Sequence, residues 1–135
     1  MSALGEVVDQ VYELLREEYG NQVSRHDEKP DILVLSLGGS LLAIFGSELS
    51  ELPLLTFRFP LDSDEVYFDD DLAEYLLDRN NEFKVGSFSS DGITTINCEL
   101  TVPAIGLSTG QITAIIDSLV SNAREAEREI HRRFT

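Results

Sequence analysis

LLDRNNEFKVGSFSSDGITTINCELTVPAIGLSTGQITAIIDSLVSNA, residues 76–123, carries the end of one helix, a two-stranded hairpin and the start of a long closing helix. Ser90-Asp91-Gly92 separates a strand-like stretch, 83–89, from a β-branched run, 93–102. Asp-Gly tolerates the positive φ of a tight primed turn, so the pair reads as a hairpin. Past Pro103, the Ser108 hydroxyl can accept from a backbone N–H while Gln111 reaches back to it, a capping box that starts a helix at about Thr109.

Upstream, Leu4, Val8, Val11, Leu15 and Tyr19 recur three or four residues apart and predict an amphipathic helix over 4–19, ended by Gly20-Asn21. Residues 22–31 read as a loop, with a short extended piece around Val23. Residues 32–37 are nearly all aliphatic, Gly38-Gly39-Ser40 can turn, and 41–45 follow as a second strand. Continuous apolar character there implies central strands, or an outer face covered by a partner. Residues 54–59 alternate more clearly and are bracketed by Pro53 and Pro60. The acidic connection 61–71 offers Asp69, Asp70 or Asp71 as a cap for a short helix over 72–79, which Asn80-Asn81 stops.

After the hairpin, Ile112, Ile116, Leu119, Ala123, Ala126 and Ile130 mark the seam of a third helix running to about Phe134. At ~1.5 Å per residue it is roughly 40 Å long, so its last turns are expected to project beyond a small sheet toward a partner subunit. The order is α-β-β-β-α-β-β-α. Strands that arrive by hairpins and helices that arrive in blocks imply an α+β fold, a single antiparallel sheet with helices packed on one face.

The chain has 135 residues, 42% of them hydrophobic, which suits one domain spanning 1–135. No apolar run of ~18 residues is long enough to span a bilayer, and the acidic N-terminus is unlike a signal peptide. The expectation is a soluble, cytoplasmic protein with no membrane partner. Twenty-five acids face ten bases, a net charge of −15, and only Lys29 and Lys84 are lysines. Such a surface repels a polyanion, which excludes nucleic acid as a partner. The acidity fits either a high-salt cytoplasm or an ordinary acidic protein with a basic partner, and composition does not separate the two.

Enzyme chemistry finds no constellation. His26 and His131 lie far apart in the chain, the lone Cys98 has flanks that supply no base or cation, and no Ser stands at a nucleophile elbow. The sequence 36–40, SLGGS, lacks the Lys of a phosphate loop. The acids of 62–71 lack the spacing of a calcium loop. No catalytic residue, cofactor or metal site is expected.

The helix ending in Asn80-Asn81, the strand 85–89, the Asp91-Gly92 turn into 93–100, and Gly106-Leu107-Ser108 leading to an apolar closing helix resemble the YbjN-like family, which shares the type III secretion chaperone-like fold. The closing helix is longer and more charged than the pattern demands. The resemblance implies a small dimeric protein that binds other polypeptides, without catalytic residues.

The partner-binding candidates follow from aliphatic density and charge. They are Leu35, Leu37, Leu42, Ile44, Phe57 and Phe59, with β-augmentation at a strand edge there as the mode, and a basic strip of Arg124 and Arg128 on the closing helix. Each of the six apolar residues is an equally good core residue. The leading expectation is a non-enzymatic chaperone-like or adaptor homodimer that binds a protein client. The alternative is a small regulatory domain with a ligand pocket between sheet and helices, using Tyr67, Tyr75 and Arg79.

Overall fold

The computed structural model describes residues 3–82 and 86–135. Helix α1 (Ala3–Tyr19) passes through a single 3-10 turn (Gly20–Gln22) into β1 (Val23–Arg25). A meander follows: β2 (Ile32–Leu37), β3 (Ser40–Leu49) and β4 (Leu52–Pro60). Then come α2 (Asp70–Glu82), β5 (Ser87–Ser90), β6 (Ile96–Pro103) and α3 (Thr109–Arg133). All six strands form one antiparallel sheet in the order β1-β2-β3-β4-β6-β5, with the helices packed on one face. The short extended piece at Val23 is a full member, pairing Val23 with Leu35 and Arg25 with Leu33.

Period-two alternation explains the core. Leu33 and Leu35 of β2, Leu42 and Ile44 of β3, Leu55, Phe57 and Phe59 of β4, and Ile96 and Cys98 of β6 all turn inward and are almost wholly buried. Helix α1 meets this layer through Val8, Val11 and Leu15, and α3 through Ile112, Ile116, Leu119, Ala123, Ala126 and Ile130. Each such large apolar side chain contributes about 1.5–3 kcal/mol by leaving water. Gly46 is where α1 crosses β3: a Cβ there would stand 2.8 Å from Leu4 Cδ1 and 2.9 Å from Val8 Cγ2. Gly86, at φ +94°, lets the chain entering β5 pass β6, where a Cβ would meet the Glu99 carbonyl oxygen at 2.6 Å.

The capping box opens α3 as expected: Ser108 Oγ accepts from the Gln111 N–H at 3.1 Å and Gln111 Oε1 accepts from the Ser108 N–H at 2.8 Å. Other details depart from the sequence reading. Helix α2 runs through Asn80-Asn81 to Glu82, started by Asp69, whose Oδ1 accepts from the Leu72 N–H at 2.9 Å. The hairpin turn is a five-residue loop, 91–95, because the Asp91 carboxylate gathers the N–H groups of Ile93, Thr94 and Thr95. Of the expected strand 83–89, residues 83–85 lie outside the described residues.

The end of α3 does not project. Phe134 is buried, its ring 5.7 Å from that of Tyr75 on α2, and its carbonyl accepts from the Tyr67 N–H at 2.7 Å. The 61–69 connection and α2 cover the last turns instead.

Candidate protein interface

The partner-binding candidates read from sequence divide sharply. Leu35, Leu42, Ile44, Phe57 and Phe59 are fully buried beneath the helices, so their apolar surface is spent on the core of this chain. Leu37 is half-buried in a shallow recess beside Tyr19 and Ile116. Nor does 32–45 offer a strand edge. The sheet ends at β1 and β5, and β2, β3 and β4 are interior. Arg124 and Arg128 form no strip. Arg124 turns in, 3.2 Å from Ser40 Oγ, 3.3 Å from Glu127 and 5.0 Å above the Phe59 ring. Arg128 is exposed and has no hydrogen bond or ion pair among the described residues.

The opposite parity of the same strands makes the surface that matters. None of the described helices covers the far side of the sheet, where β2 presents Ile32 and Val34, β3 presents Leu41, Ala43, Phe45 and Leu49, and β4 presents Leu52 and Leu54. Leu41, Leu49 and Leu52 are 57%, 65% and 41% exposed. Phe45 lies at the centre, registered with Ile32 on one side and Thr56 on the other. Thr56 is satisfied by Thr101, their hydroxyls 2.8 Å apart, and it is the one buried polar residue among those described.

Charge is nearly absent here. Among the described residues pointing outward from the six strands, only Arg58 and Glu99 are ionised. They neutralise each other at 2.7 Å, and the Arg58 guanidinium also sits 4.9 Å above the Phe45 ring. Of the 25 acids in the chain, only Glu99, paired with Arg58, is on this face among the described strand residues. The acids lie beyond the strand ends. Asp27, Glu28 and Asp31 precede β2, and Glu51 tips the β3–β4 hairpin at the same end, where the Gly46 N–H donates to the Asp31 carbonyl at 2.9 Å. Asp62, Asp64, Glu65 and Asp91 stand at the other end, their two loops joined by Ser63 Oγ donating to the Thr94 carbonyl at 2.6 Å.

Solved structures share this fold. A chain of the ExsC–ExsE complex matches with a TM-score of 0.72 at 16% identity, covering 96% of this chain and 97% of that one. A chain from the structure of the Yersinia pestis type III secretion chaperone SycH in complex with a stable fragment of YscM2 matches with a TM-score of 0.62 at 13% identity, covering 91% and 98%. The fold is that of the type III secretion chaperones. No protein-family model and no curated relative matches the chain.

Among the described residues three grooves lie beside α2: one at the end of α3, lined by Asp71, Glu74, Asp78, Arg133 and Phe134, and two that run along the helix. One, of about 460 Å³, runs between α2 and β5 with Phe68, Leu72, Leu76 and Phe88 in its walls. The other, about 330 Å³ between α2 and α3, holds Tyr75, Arg79 and Arg133 beside Glu125 and Glu129. Tyr67 is not part of either; it is 66% exposed. Among the described residues no helix is long and apolar enough to cross a membrane, and no three His, Cys, Asp or Glu side chains are grouped to hold a metal ion. The histidines do local work. His26 Nδ1 accepts from the N–H groups of Glu28 and Lys29, and His131 Nε2 lies 2.9 Å from the Asp62 carbonyl. Burial pushes the Cys98 thiol up to about 12, away from thiolate chemistry.

Proposed function

We propose that this chain is a YbjN-like, non-enzymatic chaperone-like or adaptor protein of the cytoplasm, a homodimer that binds another polypeptide across the uncovered sheet face. The observation that carries the reading is that face itself, apolar along β3 and cleared of net charge on a strongly acidic body. Charge depletion around aromatic and aliphatic residues distinguishes the centre of an interface from ordinary surface. Covering a patch of ~300 Å² would return roughly 7 kcal/mol before the costs of association. The matched structures support the reading, since both are complexes with a second protein.

The test places a photo-reactive benzoylphenylalanine at Phe45, with a control at Glu17 on the exposed side of α1. In the native host, crosslinking of one polypeptide from position 45 and not from position 17 is expected. Equal labelling from both positions, or none from 45, removes the face from the function. Light scattering on the purified chain reads the homodimer directly, and a monomer mass removes that part.

A further inference from the structure

We infer that the polypeptide taken by the uncovered face is apolar in its middle and basic at both ends, laid along β3. This rests on the reading of that face as polypeptide-binding. The direction comes from the pattern of side chains. Along β3 the outward row is Leu41, Ala43, Phe45, Ser47 and Leu49, apolar at four of its five positions. Across the sheet it gives way to Arg58 and Glu99 on one side and to Ser24 of β1 on the other. Ten residues of β3 at ~3.3 Å each span about 33 Å, the length of an extended segment of nine or ten residues.

The ends set the charge. Asp27, Glu28, Asp31 and Glu51 stand at one end of the row with Lys29 and with Arg25, which is already paired to Asp9. Asp62, Asp64, Glu65 and Asp91 stand in the two loops at the other end, where the cations are His131 beside Asp62 and Arg124 beside Ser40. A segment that emerges from the apolar row with Lys or Arg meets carboxylates at both exits, and one that emerges with Glu meets repulsion. The same arrangement disfavours a second copy of this chain, which would bring acidic ends against acidic ends with a net charge of −15 on each body.

The test is fluorescence anisotropy with three synthetic peptides that share one nine-residue Val/Leu/Thr centre, flanked by Lys-Arg pairs, Ser pairs or Glu pairs. The proteins are the full chain, Phe45→Ser, Leu49→Ser as a second face variant at a well-exposed site, and Asp27→Asn/Glu28→Gln/Glu51→Gln. At about 50 mM salt the basic-flanked peptide should bind at least about tenfold tighter than the Glu-flanked one. At about 1 M the preference should fall to within about twofold, because the screening length is then ~3 Å. Both face variants should weaken every peptide, and the neutralised variant should weaken only the basic-flanked one. If all three peptides bind equally and still depend on Phe45 and Leu49, the charge inference falls and the face stands. If no peptide depends on either residue, the face reading falls and the inference with it. A chain that is dimeric in light scattering and monomeric as Phe45→Ser gives the face to a second copy, which also overturns the inference.

Discussion

Asn80 of α2 occupies the place of a missing strand beside Phe88: its Oδ1 accepts from the Phe88 N–H at 2.6 Å and its Nδ2 donates to the Phe88 carbonyl at 3.0 Å. β5 is an edge strand, and an edge with unanswered backbone groups invites another chain to pair with it. One amide side chain answers the middle of that edge from within the protein. The opposite edge, β1, is only three residues long. The sheet thus closes its sides and leaves its face.

Asn80→Ala removes both bonds from half-buried backbone groups. Each is worth about 0.5–1.5 kcal/mol net, so urea denaturation should show a loss of about 1–2 kcal/mol. A loss below ~0.3 kcal/mol would take the edge-closing role from this residue.

Asp91 predicts an acid limb in the stability profile. Its carboxylate accepts backbone hydrogen bonds from Thr95, Thr94 and Ile93 and a further one from the Thr94 hydroxyl, which together hold it well below the usual carboxylate range. A depressed folded-state pKa contributes stability that is present above the unfolded value near ~3.9 and is lost as pH falls below it. Asp91→Asn should therefore lie below the parent by a constant margin in urea midpoint from pH 7 to 5, and the margin should narrow below about pH 4. A margin that does not change down to pH 2.5 would show that ionisation of Asp91 is not its source.

Arg124 and Arg128 stand one helical turn apart and should behave as opposites. Arg124→Ala loses packing on Phe59 and the contact with Ser40, for an expected cost of about 1 kcal/mol in denaturation. Arg128→Ala should stay within ±0.5 kcal/mol, as solvated positions do. Equal costs would contradict the inward and outward placement of the two.

The sequence announced the helices because their signals are local. Leu4 to Tyr19 keeps its stripe, and Ser108 with Gln111 forms the capping box that their spacing implies. Asn80-Asn81 misled because a pair that tolerates left-handed backbone normally ends a helix, whereas here Asn80 stays helical and spends its amide on a strand. The β3–β4 hairpin was hard to read for a related reason: Ser50 and Glu51 both take positive φ, 49° and 68°, without the Asn or Gly that usually marks such a turn. The interface was legible as a density of aliphatic residues but not as a side. In a run as continuous as Ile32–Leu37, alternation gives two sets and no sign of which one the helices will cover. Leu35 and Ile44 went inward, and Val34 and Phe45 were left outside.

The strand order also dictates how the chain assembles. β1 to β4 pair with their sequence neighbours through short turns, so that half of the sheet can zip up with little loop-closure entropy. β6 must instead find β4 across α2 and β5, joining residues 37 to 49 positions apart. Topology therefore predicts that the β4–β6 seam is the slower search, and the apolar row along β3 lies wholly within the half of the sheet built from local pairings.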